Sequence, residues 1–228
     1  MVRLLAVSLI VACGGPGASI DASITVDIDN GSCGDQLRFT GEYIDWDADA
    51  HFCGVNQALV KLPGGEMGNT APNGRFDLCI PSAPARQALT ITPSTAMSEC
   101  TIPRSTYSLP TIAIATKAVI LAGNFWSGRN FTIDRQATLG ITLDPGKAHV
   151  FVHVGGTPRA VSLAAAHATP QAIATTLWAD GDTGHEVFFP NVELGTGTTT
   201  VSCAGGAIGT GEVPLAAGTI TTVDLIAN

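Results

Sequence analysis

The sequence predicts an all-β protein built as two tandem antiparallel β-sandwiches with a mixed connector. Three observations carry that prediction. Short runs of alternating apolar and polar residues recur along the chain, bounded by Gly, Pro, Asn or Asp; this period of two is the strand signature. Charged residues make up only 13% of the 228 residues, while Gly (26) and Pro (13) are plentiful. That balance suits tight turns better than solvent-facing helices, which draw on Glu and Lys. Finally, one order of elements occurs twice.

The chain opens with MVRLLAVSLIVAC: an Arg, a mostly apolar run from Leu4 to Ala12, then Cys13. The layout is that of an export signal. The run falls well short of the about 20 apolar residues that span a bilayer. Ile10-Val11-Ala12-Cys13 resembles a bacterial lipobox. The resemblance implies cleavage after residue 12 and lipid on Cys13. Gly14, rather than Asp, follows that cysteine, and this implies the outer membrane of a double-membrane envelope. Residues 1–12 are therefore expected as signal peptide and 13–23 (CGGPGASIDAS) as a flexible tether.

Residues 24–100 form the first expected sandwich, with strands in ITVDI, LRFTGEYI, ALVKL, RFDLCI and ALTIT. In RFDLCI, alternation sets Phe76, Leu78 and Ile80 on one face and Arg75, Asp77 and Cys79 on the other. Residues 101–144 are expected as the connector, packed on the sandwiches. There LPTIAIATKAVILAG has room for two strands, FTIDRQATLG for a helical turn, and GNFWSGRNF reads as loop. Residues 145–228 form the second sandwich, with strands in KAHVFVHV, RAVSLAA, ATTLWAD, HEVFFPNV, TGTTTVSC and GTITTVDLI. Pro170 and the late Thr pair favour strand-turn-strand over an Ala-rich helix between residues 163 and 178.

The repeat pairs GVNQALVKL, NGRFDLCIP and ALTIT with GTPRAVSL, DTGHEVFFPNV and TTTVSC. This order resembles carboxypeptidase regulatory-like, or transthyretin (prealbumin)-like, domains, which are Ig-like sandwiches. Gly54, Ala58, Val60, Leu62, Gly74, Phe76 and Leu78 fall on the family pattern in the first copy. Gly156, Ala160, Val161, Leu163, Asp182, Gly184, Phe189, Pro190, Val192 and Gly195 do so in the second. One extra residue before Phe189 predicts a bulge. Gly197 stands where the family usually has Tyr.

Export agrees with the cysteines. Beyond Cys13, the chain has Cys33, Cys53, Cys79, Cys100 and Cys203. Outside the cytosol such residues pair. Cys33, Cys53, Cys79 and Cys100 are the candidates for two bridges, leaving Cys203 alone. No CxxC spacing marks a thiolate metal site.

Four clusters are candidates for chemistry. Asp45, Asp47 and Asp49 open like a calcium loop, but Ala50 and Asn56 occupy positions where Gly and Glu belong. Asp180, Asp182 and Glu186 surround His185, yet ADGDTG is what a tight turn wants. His149 and His153 share a strand face about 7 Å apart. Zinc or copper would suit them, with His167 or His185 as a third ligand; the plainer expectation has Val150, Val152 and Val154 in the core and both histidines in water. Trp46, Phe125, Trp126 and Trp178 are the aromatic surfaces on which a sugar would stack, or else core plugs.

No nucleophile elbow, HExxH or phosphate loop occurs. Net charge is −8 with no Lys/Arg cluster, which excludes nucleic acid as a partner. The expectation is a non-catalytic, lipid-anchored envelope protein without cofactor, serving as a structural or adhesion-like module toward another protein. A carbohydrate-binding accessory is the alternative, and a metal-binding protein or hydrolase on the histidine face the outsider.

Overall fold

The computed structural model describes residues 33–34, 36–46, 52–65, 67–80, 87–94, 111–115, 125–131, 137, 139–173 and 177–227. The expected signal, tether and lipidated Cys13 lie outside the described residues, as do ITVDI, Asp47, Asp49 and Cys100. Eighteen strands run in order through the described residues. They are β1 (Leu37–Trp46), β2 (Phe52–Gly54), β3 (Leu59–Lys61), β4 (Met67–Asn69), β5 (Arg75–Ile80), β6 (Gln87–Thr92), β7 (Thr111–Ala115), β8 (Phe125–Phe131), β9 (Ala148–Gly155), β10 (Arg159–Leu163), β11 (Gln171–Ile173), β12 (Trp178–Asp180), β13 (Thr183–Gly184), β14 (Glu186–Val192), β15 (Thr198–Cys203), β16 (Ala207–Ile208), β17 (Gly211–Pro214) and β18 (Thr219–Ala227). Among the described residues no helix is long and apolar enough to cross a membrane.

The strands form three sheets. One small sheet holds β2, β1 and β5, with β8 running parallel to β1. A second holds β13, β10, β15 and β17. The third has ten strands, in the order β12-β11-β14-β9-β18-β7-β6-β3-β4, with β16 on β18. Its two halves meet at β7, antiparallel to β6 and parallel to β18.

Register fixes which face of this long sheet each sandwich uses, because directly paired residues project to the same side. Ile91 pairs with Thr111, Thr111 with Ile220, and Ile220 with His149. The apolar face of the first sandwich therefore continues into the face bearing His149, Phe151 and Phe188. On it, Val60, Leu89 and Ile91 pack with Phe39, Tyr43 and Phe76 of the first small sheet. Ile114, Val223, Val152 and Val187 point the opposite way, into Val161, Leu163, Val201 and Val213 of the second small sheet. One sheet is thus the common wall of two sandwiches that sit on opposite faces of it.

Segment 139–143 closes the remaining surface. Leu143 is buried with Phe151, Phe188 and Ile220, and Leu139, Ile141 and Trp178 pack against them. β9 and β14 are consequently buried on both faces, whereas β3, β5 and β15 alternate between core and solvent.

The strands expected at Leu37, Leu59, Arg75, Gln87 and Ala148 onward are present, and Phe76 and Leu78 do turn inward while Arg75 and Asp77 turn out. Within GNFWSGRNF, expected as loop, FWSGRNF (125–131) is strand β8, because pairing along β1 organises residues whose local chemistry favours turns. The bulge in the second copy falls after Phe189, between it and Val192, not before it. Asn191 occupies it with φ 53°, a left-handed conformation that Asn tolerates better than most residues.

Two glycines of the repeat have a steric reason. A Cβ on Gly74 (φ +77°) would lie 2.4 Å from the Tyr43 carbonyl oxygen and 2.7 Å from Gly54 Cα. A Cβ on Gly54 would strike the Asn73 backbone. The β2 end and the β5 turn approach so closely that neither tolerates a side chain. Cys33–Cys79 bridges the entry to β1 with β5. Cys53 is also disulfide-bonded, while Cys203 is free.

Candidate functional site

His149 and His153 share a face of β9 with Phe151 between them, as the alternation requires. Their environments differ. His149 is fully buried, its ring packed 6.4 Å from that of Phe188. The expectation that both histidines face water therefore fails for His149, because segment 139–143 covers this part of the sheet. His149 Nδ1 accepts the Asn191 backbone N–H at 3.0 Å. The ring proton accordingly sits on Nε2, which has no partner among the described residues. Burial lowers the His149 pKa from 6.5 to about 4, against the Asp144 backbone and charge, which raise it. Asn191 extends the network: its Oδ1 accepts the Asp144 N–H at 2.8 Å and its Nδ2 donates to the Thr142 carbonyl at 2.9 Å.

His153 is half exposed, with Nδ1 3.3 Å from Asp224 Oδ1. Asp224 follows from register, which also puts Glu186 on the other side of His153. The Nδ1–Oδ1 separation meets an ion-pair distance, yet Asp224 Oδ1 accepts no well-directed hydrogen bond. It is a charge contact that exists when the imidazole is protonated.

Neither His167 nor His185 completes a three-ligand group with His149 and His153. His185 precedes Glu186 and its carbonyl accepts the Val154 N–H. His167 lies edge-on to Phe189 at 4.8 Å, on the Val150 side of the sheet. Among the described residues no group of three His, Cys, Asp or Glu side chains is placed to hold a metal ion.

Asp45 is a buried residue of β1. Asp182 is exposed; its carboxylate accepts the Thr183 hydroxyl at 2.9 Å, and its carbonyl accepts the Val161 N–H. Asp180 accepts from the Gln171 amide across the β11–β12 pair. These carboxylates serve the turn and the strand pairing. Trp46, Phe125 and Trp126 lie in β1 and β8. Trp178 is half buried against Leu143, Phe151, Phe188 and Ile220. Burial raises the Cys203 thiol pKa, with Arg159 opposing, so the free cysteine is held as a thiol, the unreactive form.

The strand pairing creates one feature that no local motif announces. A groove of about 580 Å³ lies between the end of β4 and the β5–β1 pair, lined by Arg38, Thr40, Asn69, Arg75 and Asp77 over Gly41. The Arg38 guanidinium forks onto the Asp77 carboxylate, its Nε at 3.1 and 2.9 Å from the two oxygens. Arg75 makes no side-chain hydrogen bond or ion pair among the described residues. The only sequence signal for this site is the polar face of RFDLCI; the other lining residues join it through register.

No family model matches the chain, and no curated protein matches it. Solved structures align over most of it with low scores. Three of them are the Bacillus anthracis TIE protein (10% identity, TM-score 0.22, 84% of this chain and 34% of that one), the shaft pilin spaA from Lactobacillus rhamnosus GG (8%, 0.26, 85% and 98%) and a streptococcal ancillary pilin (10%, 0.24, 85% and 63%). The chain spans about a third of the TIE protein chain. At these scores the likenesses carry no functional argument, and the β-sandwich architecture rests on the sheets themselves.

Proposed function

We propose that this chain is an exported, non-catalytic envelope protein, anchored by lipid on Cys13, whose sandwiches act as a structural or adhesion-like module toward another protein. The observation that carries the reading is the common wall. A ten-stranded sheet with a sandwich on each face joins the two through the pairing of β7 with β6 and β18, an arrangement suited to holding a surface at a fixed place. Export is supported by the Cys33–Cys79 disulfide and the disulfide-bonded Cys53, which persist in oxidising compartments. The carboxypeptidase regulatory-like resemblance is supported by the close approach of Gly54 and Gly74, two of its motif positions. Outer-membrane placement rests on Gly14 after the lipobox cysteine.

Expression in a double-membrane bacterium with labelled palmitate tests the anchor. The protein takes up label in the outer-membrane fraction, and Cys13→Ala abolishes uptake and releases the protein into the soluble periplasm. Label retained by Cys13→Ala defeats the lipobox reading. An unlabelled, cytosolic wild-type protein with reduced cysteines defeats export altogether.

A further inference from the structure

Segment 139–143 is held to the long sheet in two ways. Leu139, Ile141 and Leu143 pack onto Phe151, Phe188 and Ile220. Its directed hydrogen bonds to the sheet run through one residue, Asn191. The Asn191 side-chain oxygen accepts the Asp144 N–H at 2.8 Å, and its amide donates to the Thr142 carbonyl at 2.9 Å. Thr142 and Asp144 are two residues apart, so one side-chain amide bonds the segment much as a neighbouring strand would. Among the described residues no backbone hydrogen bond joins 139–143 to a strand. The segment is a strap, tied at its Asp144 end before the turn into β9.

Asn191 is held in turn by His149. It occupies the bulge of β14 at φ 53°, and its backbone N–H donates to His149 Nδ1 at 3.0 Å. His149 is fully buried. A protonated ring has no acceptor nitrogen; it would set Nδ1–H against the Asn191 N–H and bury a charge. The chain of contacts from strap to Asn191 to His149 therefore holds only while the ring is neutral. The charged groups around it do not alter this. Asp144 is the acid that acts on the ring, and burial outweighs its pull, so the pKa falls from 6.5 to about 4. Lys147 is paired with Glu193. On this face β18 brings no charged side chain before Asp224, and β14 none before Glu186; both stand beside His153, four residues along β9. Asp180 of β12 bonds Gln171.

We propose that His149 is an acid-operated release for the strap: protonation of the ring frees Asn191, and residues 139–144 lift from the sheet while both sandwiches stay folded. The two sandwich cores share no side chain with the cluster under the strap, which makes the release local. Phe151, Phe188 and Ile220 then meet solvent, so acid changes the surface that the protein presents. The direction follows from linkage. In the lifted state the ring is solvated and titrates normally; in the closed state its pKa is lowered. Closure is fully favoured above pH 6.5 and is lost as the pH falls toward 4. Over that range the lifted fraction grows about tenfold per pH unit. His153 acts in the opposite sense, since its contact with Asp224 strengthens on protonation. The device goes beyond the function proposed above and does not depend on the anchor.

Hydrogen exchange of the ¹⁵N-labelled, disulfide-intact protein tests it, with rates corrected for intrinsic exchange. Between pH 7.5 and 5, protection at the Asp144 and Asn191 amides is expected to fall about thirtyfold. That exchange should be insensitive to urea below the unfolding transition, as local opening is, whereas exchange in β15 and β17 should speed up with urea. His149→Gln, which keeps an acceptor and does not titrate, should flatten the pH profile; His153→Gln should leave it intact. Unchanged protection at Asp144 and Asn191 overturns the proposal. So does urea-dependent exchange that brings these amides to the rate of β15, because that is global unfolding. A fall that persists in His149→Gln, or vanishes in His153→Gln, overturns the assignment to His149. If His149→Gln does not fold, the wild-type pH and urea profiles decide alone.

Discussion

Acid should unfold this protein through His149 in a way that one substitution removes. The neutral ring accepts the Asn191 N–H and is fully buried against Phe188. Protonation would place a charge in the cluster and turn its acceptor nitrogen into a donor facing another donor. The folded-state pKa is lowered from 6.5 to about 4. The sign follows from linkage. The folded state prefers the neutral ring, so the stabilisation is fully present above pH 6.5. It is lost as the pH falls toward 4, because the unfolded chain binds the proton first. At about 1.36 kcal/mol per pH unit, the full loss is about 3 kcal/mol, with about 2 kcal/mol gone by pH 5. Urea unfolding with the disulfides intact measures it, on wild type and on His149→Gln, which keeps an acceptor and does not titrate. Between pH 7.5 and 5, wild type should lose about 2 kcal/mol more than the variant. Parallel pH profiles would refute the reasoning. If His149→Gln does not fold, histidine NMR on the wild type replaces it: a His149 signal that remains neutral at pH 5 is expected, and one titrating near 6.5 contradicts the account.

Three other perturbations follow from the packing. Gly74→Ala puts a Cβ into the Tyr43 carbonyl in a left-handed backbone and should cost about 3 kcal/mol or more by thermal unfolding, beyond the ordinary range of a surface-turn substitution. Cys33→Ala with Cys79→Ala removes a bridge across 46 residues and should lower stability by about 2–4 kcal/mol, with strands β9 and β14 keeping their hydrogen-exchange protection in native buffer. Phe188→Ala opens the cluster of Leu143, Phe151 and Ile220; a loss of about 3–5 kcal/mol is expected, and exchange protection near residues 139–144 should fall.

Much of the fold is legible in the sequence because strands that wet one face write their alternation openly. RFDLCI, ALTIT and TGTTTVSC read correctly for that reason. β9 and β14 do not obey it. AHVFVHVG and EVFFPNV carry large apolar residues at both parities, the mark of a strand covered on both sides. Phe151 between two histidines and the Phe188–Phe189 pair are the signal that His149 is interior. The sequence places a connector on the sandwiches but not over which strands, since it packs through Leu139, Ile141 and Leu143 from a stretch without strand periodicity. Nor could the pairing of β7 with β18 be inferred: a parallel contact between residues about 110 positions apart leaves no local trace. The groove is hidden for a related reason. Arg38, Asn69 and Arg75 are ordinary exposed strand residues until register sets them together.

The central claim is that the two sandwiches share a wall and so form one body. Calorimetry of the disulfide-intact chain tests it most directly. A single transition whose calorimetric enthalpy equals its van't Hoff enthalpy is predicted, and Ile114→Ala, in the strand that joins β6 to β18, should lower that one midpoint for the whole protein. Two separated transitions in wild type, with Ile114→Ala shifting only one of them, would contradict the account.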